Sequence, residues 1–371
     1  MGIELMVYPV FQESIQAADE YLRAGCLCSW SVEGELMKGK SSSRLYLAEF
    51  SQTLCTVLRI TIVDLLRSWK ISPVAVAGHS SSEIAAAYCL GTLTREDAWR
   101  AAHYRGVVCT ALKNIAPDIS GSMMAVGISP KQAQMWISQA KKGDIVRACI
   151  NSPSSVTLSG DTAGIDEMAA EFAEMEVFAL NLKVDTAYHS PHIQIVAQEY
   201  FEYIGDIKTR SQTGECRMHS SVTGRQIQPN ELGAANWVRN LTSPVQFAAA
   251  IHDMVRPMQD NGKRLEENAV DLLIEIGPHS ALQGPSARTL KSYGIRDMPY
   301  ETVLKRDYDG LQSALDLAGA VFGRGGQLDS LAVNNESGKV NVKILVDLPS
   351  YPWNHSQGHW EESRLSREFR N

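Results

Sequence analysis

The chain has no apolar run long enough to cross a bilayer, which excludes a spanning helix. Its start, MGIELMVYPVFQESI, lacks the basic and then apolar layout of a secretory leader. No CxxC pair and no His-spaced cysteine cluster occurs, so no metal site is expected. The seven cysteines (Cys26, Cys28, Cys55, Cys89, Cys109, Cys149 and Cys216) are dispersed and odd in number, which fits reduced thiols in a cytoplasmic protein. A basic excess is also missing. The formal net charge is -7, against a general nucleic-acid surface. Neither internal repeats nor low-complexity tracts are present.

What remains is an ordinary globular composition, 44% hydrophobic and 21% charged over 371 residues. That length supports a large core and about two structural units. Apolar positions Leu47, Phe50, Leu54, Leu58, Ile62, Leu65 and Trp69 keep helical spacing, after a shorter amphipathic helix over 12–24. A strand over 74–77 ends at Gly78, and an alanine-rich helix follows Ser80. Thr94 opens another helix, which carries Arg105 and Gly106 in its middle. A glycine there costs about 1 kcal/mol relative to alanine, so something approaches the backbone closely.

Between 121 and 189 the rhythm changes to strand, helix, strand, strand, helix, strand. That order predicts an inserted ferredoxin-like subdomain. Ser190 and Pro191 can open the next helix, which places His189 on the hinge back into the main body. Alternating strands and helices argue for an α/β fold with a mostly parallel sheet. The predicted organisation is a large α/β-hydrolase-like core over 1–120 and 190–305, the small subdomain over 121–189, and an extended linker over 306–371.

Gly78-His79-Ser80-Ser81-Ser82 lies between the strand and the helix. It reads either as a capped turn or as a nucleophile elbow that exposes a serine hydroxyl. The elbow pattern asks for a second glycine where Ser82 stands. A serine nucleophile needs a base. His79, His189, His192 and His279 are the candidates, and spacing alone does not choose among them. Arg105 reads either as a surface ion-pair partner or as a fork for a substrate carboxylate.

Six ordered motifs carry a resemblance. They are Gly78 to Glu83, Tyr104-Arg105-Gly106, Met123 to Gly127, Asn151 to Gly160, Thr186 to Ser190, and Glu275 to Ser280. Together they resemble the malonyl-type acyltransferase domain of fungal-type, highly reducing iterative polyketide synthases. The segment Leu348 to Trp353 resembles the linker that leaves this domain. The resemblance implies that Ser80 is the nucleophile, His189 the general base and Arg105 the grip on a malonyl carboxylate. It implies that the Ser81 N–H serves an oxyanion hole, that Asn240 orients the histidine through its carbonyl, and that His79 and Tyr188 contact substrate. An aromatic residue before the histidine goes with malonyl rather than methylmalonyl. No cofactor is expected to be tightly bound. Malonyl-CoA would be the substrate, and the phosphopantetheine thiol of an acyl carrier protein the acceptor. Neighbouring ketosynthase and dehydratase domains would be partners.

The family opens with a strand and a GQGxQ loop that completes the oxyanion hole. No GQG occurs here, so an impaired activity is expected, or an acyltransferase-derived scaffold module. The other rivals are a serine hydrolase, which has no use for Arg105, and a starter-unit acyltransferase, which usually lacks that arginine.

Overall fold

The computed structural model describes residues 2–39, 41–211, 214–256, 259–260, 263–264 and 269–335, with isolated positions beyond. Met1–Gly338 form one compact unit, and Lys339–Asn371 a second. The motif Leu348 to Trp353 lies almost wholly outside the described residues.

The first unit opens with α1 (Pro9–Gly25), α2 (Val32–Leu36) and α3 (Ala48–Ser68). A short strand, β1 (Ala75–Ala77), runs into α4 (Ser82–Leu90), and α5 (Arg95–Ile115) follows. Thr94 caps α5 by accepting from the Asp97 N–H at 2.9 Å, as the sequence suggests. Helices α3 and α5 pack closely. A Cβ on Gly106 would sit 2.8 Å from the Ala48 oxygen and the Glu49 Cα. The glycine anticipated as a point of close approach is therefore a helix–helix contact, and it fixes the seat of α5.

Next come β2 (Gly121–Val126), α6 (Pro130–Gln139), β3 (Ile145–Ser152), β4 (Ser155–Asp161), α7 (Thr162–Glu174) and β5 (Ala179–Asn181). Their sheet order is β3-β4-β2-β5, antiparallel throughout. Met124, Val126, Val156 and Leu158 point into a separate apolar cluster with Ile165, Met168 and Phe172. The chain then forms α8 (Pro191–Gln194) and α9 (Ala197–Ile204), the strands β6 (Arg217–Ser220) and β7 (Arg225–Ile227), and the helices α10 (Ala234–Thr242) and α11 (Phe247–Val255). A small hairpin of β8 (Gln259–Asp260) and β9 (Lys263–Arg264) precedes β10 (Leu273–Glu275), α12 (Gln283–Ser292) and β11 (Tyr300–Thr302).

The core pairs β1 with β6 and β10 with β11 in parallel, and β6 with β7 antiparallel. Among the described residues these form two separate sheets rather than one continuous sheet. The strands are only three or four residues long, and helices carry most of the core.

The linker boundary needs correction. Residues 306–338 belong to the compact unit, not to an extended tail. Within them α13 (Gly310–Gly323) buries Ala314, Leu317, Ala318 and Val321, and α14 (Ser330–Asn334) buries Val333. Leu311, Ala314, Leu315, Ala318 and Val321 recur at helical spacing, so that signal was available in the sequence. Among the described residues no helix is long and apolar enough to cross a membrane.

Candidate active site

Ser80 sits in the bend between β1 and α4 with φ of 55°. A non-glycine residue rarely holds that left-handed conformation, which costs about 1–3 kcal/mol and is retained where the surroundings enforce it. Gly78 is one enforcer. A Cβ there would lie 2.3 Å from the Glu83 nitrogen, so only glycine lets the strand end fold onto the helix start. Ser82, where the elbow pattern has its second glycine, opens α4 and is half-buried. The bend closes with a hydroxymethyl at that position.

His189 also has a positive φ, 60°, and lies just before the Ser190 cap of α8. Its Nε2 is 2.8 Å from the Ser80 Oγ. Its Nδ1 is 2.8 Å from the Ser243 carbonyl oxygen. A carbonyl only accepts, so Nδ1 carries the proton and Nε2 is the free acceptor for the serine hydroxyl. Burial, followed by the nearby charges of Arg105 and His79, pushes His189 down to about 3. The ring is therefore neutral at ordinary pH, with an unprotonated Nε2 facing the serine hydroxyl.

The other imidazoles are engaged elsewhere. His79 Nε2 bonds the Asn151 Oδ1 at 2.8 Å, so it links the elbow to the small sheet. His192 pairs with Asp161 at 3.0 Å, and His279 meets Arg306 at 3.0 Å. The geometry thus brings Ser80 and His189 together and leaves the rival bases aside.

Arg105 is 1% exposed and holds its fork beside the serine. Nη2 donates to the Ser80 Oγ at 3.2 Å, and Nη1 donates to the Asn240 Oδ1 at 3.0 Å. No carboxylate pairs with it among the described residues. An unpaired buried cation is costly, and an anionic ligand would compensate it. Its Nε has no partner either.

Asn240 differs from the expectation. The carbonyl that orients His189 is that of Ser243, just beyond the end of α10. Asn240 acts through its side chain, with Nδ2 donating to the Ser80 carbonyl at 3.1 Å and to the Glu83 Oε2 at 3.2 Å. Glu83 is wholly buried and also accepts from the Ser220 hydroxyl at 3.1 Å and from the Ser221 N–H. In the sequence Glu83 only closes the motif that begins at Gly78, with no role of its own. A carboxylate on the buried first turn of an alanine-rich helix was the available signal, because such a group needs partners.

The Ser81 N–H has no intramolecular acceptor among the described residues and sits at the start of α4. Tyr188 packs half-buried between the two large apolar clusters, and burial pushes its phenol up.

This geometry now meets the comparison with known proteins. The acyl transferase domain model matches residues 1–326. The chain belongs to the acyl transferase domain family. This acyl transferase domain is 51% identical over its whole length to the highly reducing polyketide synthase dmxL2 of Cryptosporiopsis sp. (strain 8999), and it spans 15% of that relative. Among solved structures it resembles the acyltransferase domain from module 8 of the salinomycin polyketide synthase. The TM-score is 0.76 at 25% identity, covering 89% of this chain and 73% of the other. It equally resembles a loading acyltransferase from the avermectin modular polyketide synthase. There the TM-score is again 0.76, at 26% identity, covering 87% of this chain and 95% of the other.

Proposed function

We propose that this acyl transferase domain loads malonyl from malonyl-CoA onto Ser80 and passes it to the phosphopantetheine thiol of an acyl carrier protein. The observation that carries the reading is the buried, carboxylate-free Arg105 fork beside the Ser80–His189 pair. The Ser80 Oγ attacks the thioester carbonyl while His189 Nε2 takes its proton. The C–S bond breaks, and the CoA thiolate leaves with that proton. The carrier thiol then attacks the seryl ester, giving its proton to His189, which returns a proton to the Ser80 oxygen. This is a double displacement through a covalent intermediate.

Arg105 meets the free carboxylate of the malonyl group through two charge-assisted bonds. That anion would also offset the guanidinium charge that helps depress His189, so binding of the correct acyl group makes the base stronger. The Ser81 N–H is one oxyanion donor. Tyr188, packed beside the histidine, narrows the acyl pocket to malonyl, and His79 stands near the reacting carbonyl.

Supplying carrier, ketosynthase and dehydratase domains are the partners this reading requires. Its setting is the cytoplasm, in keeping with seven dispersed cysteines. An inert scaffold would not need to hold Ser80 in a left-handed bend against a neutral histidine. Initial rates over a grid of malonyl-CoA and carrier protein test the scheme. Parallel reciprocal plots are expected, and intersecting plots contradict it.

A further inference from the structure

Asn240 links Glu83 to the Arg105 fork, and its three partners together fix which way its amide faces. Burial pushes the Glu83 carboxyl up to about 7, so above that pH it is ionised and its Oε2 accepts from Asn240, while the Ser80 carbonyl accepts at any pH. Both contacts require the Asn240 amide nitrogen. Its oxygen is therefore turned to Arg105 Nη1, the one donor of the three partners. Reversing that amide would set Nδ2 against the guanidinium and Oδ1 against two acceptors. Glu83, Asn240 and Arg105 are buried, so little solvent reaches the mismatch between them. The carboxylate itself is anchored by the Ser221 N–H and the Ser220 hydroxyl, at the end of a core strand.

We propose that Glu83 is a positioning residue for acyl selectivity: through Asn240 it aims the Arg105 fork at the free carboxylate of the acyl group. This rests on the reading of Arg105 given above. Glu83 touches neither the acyl group nor the reacting atoms. It acts on which acyl group is accepted, because a misaimed fork harms malonyl and is irrelevant to acetyl.

The isosteric Glu83→Gln exchange probes this with little change of volume. A glutamine that still accepts from the Ser221 N–H presents its amide nitrogen to Asn240. Asn240 Nδ2 then faces a donor instead of an acceptor, and the amide that holds Arg105 Nη1 is pushed off its place. Loading of malonyl-CoA and of acetyl-CoA onto Ser80 is followed by intact-protein mass, and kcat/KM is obtained for each. Wild type should prefer malonyl. Glu83→Gln should lower the malonyl-to-acetyl ratio about 10- to 100-fold, the worth of about one charge-assisted bond. Acetyl loading should stay within a few-fold of wild type, and the malonyl loss should fall mainly on KM. Asn240→Ala removes the relay itself and should give the same ratio change.

A merely structural role would slow both acyl groups alike. An unchanged ratio in folded Glu83→Gln and Asn240→Ala overturns the proposal while leaving the Arg105 reading intact. No malonyl preference in wild type overturns both together. If neither variant folds, the cluster serves stability and the proposal fails.

Discussion

Replacing Arg105 separates acyl recognition from acyl chemistry. Its buried fork is held at 3.0 Å by Asn240 and at 3.2 Å by the nucleophile itself. A carboxylate entering there would take two charge-assisted hydrogen bonds, each worth about 1.5–3 kcal/mol. Arg105→Ala forfeits both, roughly 3–6 kcal/mol, or about 10²–10⁴ in kcat/KM for malonyl-CoA. Arg105→Lys keeps the charge but not the planar fork, so an intermediate loss of about 10- to 100-fold is expected. Acetyl-CoA offers no carboxylate and should load no worse in either variant. Time courses of the Ser80 adduct by intact mass give both numbers from one protein preparation. Equal losses for malonyl and acetyl in Arg105→Ala would refute the reasoning, because Arg105 would then serve the elbow and not the acyl group.

Three further outcomes follow from the same structure. His189 titrates near 3 in the folded chain and near 6.5 when unfolded, so its ring should stay neutral down to about pH 4. Between those values the unfolded chain holds more protons. The contribution of this residue to stability is therefore fully present above 6.5 and lost as the pH falls toward 3. Ring-carbon NMR shifts of His189 check this, and a midpoint near 6.5 would contradict the buried geometry. Gly106→Ala should destabilise, since its Cβ would meet backbone atoms of α3 at 2.8 Å. The overpacking cost of about 1–3 kcal/mol outweighs the gain of about 1 kcal/mol in helix propensity. Denaturant unfolding should show a lower midpoint, and a higher one would mean that the helices separate freely. Gly78→Ala should remove Ser80 loading, because the bend cannot close with a Cβ 2.3 Å from the Glu83 nitrogen. Wild-type loading rates in that variant would show that the elbow tolerates opening.

The legible parts of this chain were those written in local patterns. The Thr94 and Ser190 caps, the strand and helix order over 121–189, and the serine between strand and helix depend on neighbours in sequence. The obscure parts were made across long separations by groups without a side-chain signature. The Ser243 carbonyl reaches His189 over 54 positions, and any residue type carries such an oxygen. Asn240 and Glu83 meet over 157 positions, and only the folded chain shows that they share a buried contact. Gly106 was readable as a close approach, but not what approached. The 306–338 region was missed for another reason. Its helical period is plain in Leu311, Ala314, Leu315, Ala318 and Val321, which an extended linker over 306–371 leaves out of account.

The central claim is that Ser80, activated by His189, becomes acylated. Intact-protein mass after brief mixing with malonyl-CoA tests it most directly, with Ser80→Ala beside wild type. A malonyl adduct on wild type that is absent from Ser80→Ala is the predicted result. A folded wild-type protein that takes up no adduct, or an adduct that persists in Ser80→Ala, would contradict it.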